Sequence, residues 1–312
     1  MSCRARAIVT LVAIAPIVTE IVSGNTPPHA LLHPRIALFL IAAYSFPLLV
    51  MRELSIRWRL GTLGIFILGL AYGFLNEGLI AQTLIRAEGV PLPNFNHYIY
   101  AGGINFSWVA VIVPWHALMA VVFPLALLAH WFPSCAGERW LGNRTFAGLA
   151  AVLVAGVVFL GLVRTPHAQM RAFLLAMALL VGAAPAFRAK QPRPIVARGN
   201  RALPFVFGIV VYAGIFLTPI VLATKRVEPA IFFAGIASLF LVFGLLGRQI
   251  GFAATQAAGM VALGSYFAAS VFNMGGGLAR HSMESVVCGG LLAAGFGVLW
   301  LLNPHASAQS AN

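Results

Sequence analysis

"LGTLGIFILGLAYGFLNEGLIAQTLI", residues 60–85, is long enough to cross a bilayer as a helix, because about 20 apolar residues span the hydrocarbon core. Asn76 and Glu77 stand in its middle. A carboxylate at that depth costs roughly 2.5–3.5 kcal/mol even on the lenient insertion scale, so it must be protonated, paired or hydrated. Gly69, Gly73 and Glu77 are spaced i, i+4, i+8 and share one helix stripe. Small residues at that spacing admit a neighbouring backbone, which points Glu77 into a helix–helix contact and away from lipid.

The rest of the chain repeats the apolar pattern. Of 312 residues, 61% are hydrophobic and only 9% charged, with mean hydropathy +0.93. Soluble domains carry roughly 25% charged residues, so this chain uses the lipid bilayer as its solvent. The expected fold class is all-α, a polytopic transmembrane bundle of eight to ten spans in a single integral membrane domain over 1–312. Apolar segments fall near 7–23, 36–51, 60–85, 104–130, 147–163, 172–187, 203–223, 230–246, 250–272 and 286–302. The second and sixth are short and carry Pro47 and Pro185, so they are expected to be tilted, kinked or only partly spanning. Residues 1–187 then hold six spans and the candidate site, 188–202 form a basic linker, and 203–312 hold four spans. The start of the chain, with Arg4 and Arg6 before an apolar run, reads as an uncleaved first helix, with a cleaved signal peptide as the alternative.

The net charge of +13 is a topology signal here and gives no reason to expect nucleic acid. With the N-terminus in the cytoplasm, 13 of the 20 Lys and Arg fall inside and 7 outside, which favours both termini inside. The location implied is a bacterial cytoplasmic (inner) membrane, with multiple passes. The basic segment 188–201 is a candidate contact for anionic headgroups. The segment "RELSIRWR", residues 52–59, reads as an interfacial helix or loop with Glu53 paired locally. All seven acidic residues are Glu, which removes Asp-rich magnesium and calcium sites. Cys3, Cys135 and Cys288 are widely spaced without a CxxC, so neither a disulfide framework nor a zinc ribbon is indicated.

A partner for Glu77 is found by depth. His116 lies about eleven residues into its span, and Glu77 about nine residues from the same end of the preceding one. At 1.5 Å per residue the two sit at similar depth on antiparallel neighbours. Pro114 frees a carbonyl just before His116, which membranes tolerate where a helix lines a cavity. The predicted site is therefore Glu77 and His116, with Asn76, Asn105, Gln82 and Glu20 as surrounding polar groups. The loop "GVPLPNFNHYIYAGG", carrying His97 and Tyr98, is a lid or an interfacial aromatic belt. His167 and His281 are read as loop residues. No cofactor is required, and a metal held by Glu77 and His116 is a possibility left open.

Two stretches together, "APIVTEIVSGNTPPHALLHP" (15–34) and "AYGFLNEGLIAQTL" (71–84), resemble a family of uncharacterised multi-spanning bacterial and archaeal membrane proteins. That family shows a glutamate–serine–glycine–threonine–proline–proline pattern after its first span and a GxxEEGL-like pattern in the third. A more distant resemblance is to the CAAX-protease and bacteriocin-processing membrane proteases. They carry a glutamate pair, an arginine, an aromatic separated from a histidine by three residues, and a later histidine. This chain has Asn76 at the first glutamate, Ala81 at the arginine and Ile112 at the aromatic position, while Glu77 and His116 match. His167 followed by Arg171 is a poor match to the last motif. That resemblance implies an intramembrane hydrolase with Glu77 as base and His116 stabilising charge or holding a metal. The ten-span layout alternatively suits a proton-coupled carrier of the drug/metabolite type, with Glu77 as the protonation site. A non-catalytic membrane partner is the third possibility. The substrate, protein or small molecule, stays open.

Overall fold

The computed structural model describes residues 1–189, 202–249, 255–279 and 281–302. Among the described residues, nine helices are long and apolar enough to cross a membrane: α2 (Pro34–Arg57), α3 (Thr62–Ile80), α4 (Phe106–Trp131), α5 (Asn143–Arg164), α6 (His167–Phe187), α7 (Ala202–Thr224), α8 (Pro229–Gln249), α9 (Gln256–Ala279) and α10 (Met283–Leu302). They follow α1 (Cys3–Pro16), which continues as a π turn over Ile17–Ile21. The ends of α1 reach opposite faces of the bundle. Cys3 is disulfide-bonded to Cys135 just beyond α4, while the Ile21 carbonyl accepts from Asn273 Nδ2 late in α9 at 3.1 Å. The face where the chain begins, with the connections after α2 and α4, is called here the N-face; the other is the far face.

Burial ranks the helices. Of the most apolar window, 78% is buried in α4, 67% in α9 and 61% in α3, against 11% in α5 and 17% in each of α6, α8 and α10. One core cluster gathers α1 to α6 with Ala223, Phe232 and Ile236 of α7 and α8, and a second gathers α4, α7 and α9 with Val18, Val22 and Phe296. The helices with little burial show apolar side chains such as Val152, Phe159, Leu241 and Leu301 outward, as lipid contact requires. Glycines set the closest crossings. A Cβ on Gly69 would meet the Ala117 backbone at 2.6 Å, one on Gly73 the Val113 backbone at 2.8 Å, and one on Gly264 the Phe205 carbonyl at 1.9 Å. The glycine stripe of α3 therefore packs on α4 as its spacing predicts.

Among the described residues, four helices contain π segments: Ile17–Ile21 in α1, Ile41–Ser45 in α2, Phe74–Ile80 in α3 and Ala117–Val122 in α4. Pro16 precedes the first, Pro47 follows the second, and Pro114 and Pro124 flank the fourth. Proline lacks an N–H and its ring pushes on the carbonyl four residues back, so the widened turns at Ala43 and Ala120 accommodate Pro47 and Pro124, whereas Pro16 and Pro114 act on the turns before their segments. The segment in α3 contains no proline; it carries Gly78, on which a Cβ would lie 2.8 Å from the Phe173 ring.

Several expectations change. Arg52 to Arg57 do not form an interfacial segment; they are the last turns of α2. Glu53 is fully buried there, accepting from Arg52 (2.7 Å), Arg57 (3.3 Å) and the Trp140 amide (2.8 Å). Arg52 also lies 3.6 Å over the Trp140 ring. Four charges in eight residues looked like surface, but mutual pairing lets them close the N-face. The second and sixth spans are full-length, and His167 begins α6, which ends in a 3-10 turn at Ala184–Phe187. The Cys3–Cys135 disulfide overturns the expectation of none. The two residues are 132 apart in sequence, and only the packing of α1 on α4 brings them together. The linker expected at 188–202 and its headgroup contact fall almost wholly outside the described residues, of which only Arg188, Ala189 and Ala202 remain.

Candidate functional site

At the far-face half of the bundle, His116 Nε2 and Glu77 Oε1 are 2.7 Å apart. Both residues are buried, at 2% and 8% exposure. The second Glu77 oxygen accepts from the Thr83 hydroxyl, which itself accepts from the Trp108 indole at 2.9 Å. With Glu77 ionised the carboxylate can only accept, so Nε2 donates, and in a neutral ring Nδ1 then carries the lone pair. The Nδ1 atom is buried and has no hydrogen-bond partner among the described residues. The pair thus has one vacant position for a proton, on the histidine.

The π segments account for this placement. Glu77 and Asn76 sit inside the π segment of α3, and His116 immediately precedes that of α4. Such inserted turns rotate side chains off the regular helical stripe and recur at functional sites. The His116 ring is packed edge-on between Trp115 and Tyr72, with centroids 5.1 and 5.8 Å away. The Tyr72 hydroxyl donates to the Ala43 carbonyl at 2.9 Å and accepts from Asn76 at 3.0 Å. Tyr72 meets Tyr44 edge-on at 6.3 Å, and Tyr44 donates to Glu20. Glu20 also accepts from the Thr26 hydroxyl at 2.6 Å. Both Glu20 and Tyr44 stand in π segments. Two carboxylates on α1 and α3 are thereby linked through two tyrosines and one histidine.

The predicted surrounding residues divide. Asn76 and Glu20 join this cluster. Asn105 instead caps α4, its side chain accepting from the Trp108 amide at 3.0 Å and donating to the Phe95 carbonyl at 3.0 Å. Gln82, at φ 59°, turns away to the Thr165 hydroxyl at 3.2 Å and ties α3 to the end of α5. His97 is exposed and pairs with Glu88 at 2.6 Å. Tyr98 is buried and donates to the Val227 carbonyl at 2.7 Å. Burial pushes its hydroxyl above the ordinary tyrosine value, with Arg226 acting the other way, which keeps it a donor. The loop over 81–105, with its small hairpin of β1 (Tyr100–Ala101) and β2 (Ile104–Asn105), is therefore fastened across the far face to the α7–α8 connection. His281 is exposed and joins no part of the site.

Tyr44, Tyr72, Thr83 and Trp108 were not singled out from sequence. A tyrosine inside an apolar span was the available signal, since a buried hydroxyl needs a partner. Thr83 follows a chain reversal at Gln82 that sequence spacing does not reveal. As for a metal, no group of three or more His, Cys, Asp or Glu gathers among the described residues. Two ligands of one zinc stand about 3.3 Å apart when each is about 2 Å from a tetrahedral ion; the 2.7 Å contact of Nε2 with Oε1 is a direct hydrogen bond and does not fit a shared ion.

The sequence model of an uncharacterized membrane protein family matches residues 9–309. No curated protein and no solved structure matches the chain.

Proposed function

Since the chain belongs to that uncharacterized membrane protein family, we propose that this multi-pass protein is a proton-coupled carrier in which Glu77 and His116 take and release the proton. The observation that carries the reading is the vacant Nδ1 of a buried histidine whose other nitrogen is held by a carboxylate. Unprotonated, the pair carries one negative charge. A proton on Nδ1 makes it imidazolium–carboxylate, neutral overall. Loading a proton thus removes a net buried charge, and that change is what a transporter needs to bias two arrangements of its helices. Interrupted helices at mid-membrane depth, such as α3 and α4, are the usual setting for carrier sites. The excess of Lys and Arg on the N-face supports the reading that this face is cytoplasmic, in a bacterial inner membrane.

A hydrolase is the second reading, and the same atom favours it. A carboxylate behind an imidazole, with the far nitrogen free, is the arrangement of a general base. In that case His116 Nδ1 activates water and Glu77 positions the ring, the reverse of the roles the protease resemblance implies.

The test is reconstitution in vesicles with a trapped pH dye, challenged with amphiphilic anions and cations under a pH gradient. The expected result is compound-dependent proton movement that falls at least about tenfold in Glu77→Gln and in His116→Ala, the scale of one lost charge-assisted hydrogen bond. Movement that Glu77→Gln leaves unchanged contradicts the reading. Cleavage of a membrane ester or peptide without proton movement replaces it with the hydrolase.

A further inference from the structure

On the N-face half of the bundle a cleft of about 480 Å³ lies between α3, α4, α7, α8 and α9. Its walls are almost wholly apolar, formed by residues such as Phe66, Val122, Val211 and Phe243. Its two polar lining residues, Thr62 in the first turn of α3 and Arg248 in the last turn of α8, are both at the N-face end. Arg248 is exposed and has no hydrogen-bond or ion-pair partner among the described residues. Leu118 and Val122 on the opposite wall belong to the π segment that begins directly after His116.

We propose that this cleft binds an anionic phospholipid, one acyl chain within the apolar walls and the phosphate on Arg248. The volume falls within the roughly 300–1,000 Å³ of ordinary ligand sites. A polar substrate would leave its groups unpaired along these walls, whereas an acyl chain leaves none. An unpaired guanidinium at the surface end of an apolar slot matches a phosphate in geometry and charge, and the bilayer supplies that ligand at the depth of the slot. If the protein is a carrier, the lipid occupies its N-face vestibule, beside the segment that follows His116. The proposal rests on the carrier reading only for that use; binding is measured without any proton.

The experiment is lipid retention by the purified full chain in native mass spectrometry, comparing dioleoyl phosphatidylglycerol, dioleoyl phosphatidylcholine and glycerol phosphate. The expected result is about tenfold stronger retention of phosphatidylglycerol over phosphatidylcholine. Arg248→Gln removes the preference. Gly244→Leu lowers retention of both lipids, because a Cβ at Gly244 meets nothing within 4 Å and its side chain fills the cleft without disturbing the helix. Equal retention of the two lipids overturns the proposal. So does a preference that survives Arg248→Gln, which would place the phosphate elsewhere on the basic face. Glycerol phosphate competing as well as the lipid also overturns it, because the acyl slot would then contribute nothing. A negative result here leaves a proton flux that depends on Glu77 untouched.

Discussion

Glu77 keeps both oxygens supplied by donors, His116 on one side and Thr83 on the other, and this is the condition under which a carboxylate persists inside the bundle, near the far-face end of α3. Removing one partner of a buried pair costs roughly 3–5 kcal/mol, because the other is left uncompensated. His116→Ala should therefore lower the apparent unfolding temperature in detergent far more than Glu77→Gln, which keeps an acceptor for Nε2 and loses only the charge. The double variant Glu77→Leu with His116→Leu should recover much of the loss, since apolar replacement of a buried pair is often neutral. If Glu77→Gln destabilises as much as His116→Ala, the carboxylate has a structural task beyond holding the histidine. Thr83→Val removes a donor to Glu77 and an acceptor for Trp108 together, and about 1–3 kcal/mol is expected from leaving such groups unsatisfied. At this scale the pairing was suggested by depths counted in the sequence, although α3 ends at Ile80, three residues after Glu77, while His116 lies ten residues into α4, so equal counts from the helix ends are not what brings the pair together. Of the groups around it, Asn76 and Glu20 were expected, but Tyr44 and Thr83 were not, because they reach it through an inserted turn and a left-handed residue at Gln82 that no spacing encodes.

Helix contacts follow the glycines. Gly73→Val puts a side chain against the Val113 backbone, where even a Cβ would sit at 2.8 Å. Overpacking of this sort costs about 1–3 kcal/mol, and the bulk would also part α3 from α4 at the depth of the site. Gly156→Ala, in α5, meets nothing within 4 Å and should be neutral or stabilise by up to about 1 kcal/mol through helix propensity. Thermal scans of the two variants side by side check this; equal behaviour contradicts the close α3–α4 crossing. The glycine stripe could be read from periodicity alone. The π segments could not, because regular spacing assumes 3.6 residues per turn and each segment departs from it locally. The prolines near three of them were visible as possible kinks, but a kink does not say which side chain is turned inward. The residues 52–59 misled for a different reason. Their charges are typical of a surface, and it is the pairing of Arg52 and Arg57 with Glu53, with the Trp140 amide and ring and the Ala136 and Leu141 carbonyls from another connection, that makes their burial tolerable.

The whole molecule is a bundle whose antiparallel crossings put the connections after α1, α3 and α7 on one face and those after α2 and α4 on the other, an architecture that composition and hydropathy make legible at once. Its orientation is a prediction. In intact cells, a membrane-impermeant thiol reagent should label a cysteine introduced at Asn94, in the far-face loop, and not one introduced at Ala136, beside Cys135. The reverse pattern would turn the protein over and put the Cys3–Cys135 disulfide in an oxidising compartment, where such bonds persist. In the predicted orientation that pair is kept reduced in the cell and closes on isolation. Oxidised protein should then resist thermal unfolding better than reduced protein, with about 2–4 kcal/mol expected from a closed loop. In the proposed carrier, His116 Nδ1 is the atom that gains a proton while Glu77 holds Nε2. The most direct measurement is solid-state nitrogen-15 NMR of histidine-labelled protein in bilayers, with His116→Gln identifying the resonances. The account predicts a neutral ring protonated at Nε2 and bare at Nδ1, which becomes imidazolium on acidification in the wild type. A ring protonated at Nδ1 instead, or a neutral ring that acid leaves unchanged, would contradict it.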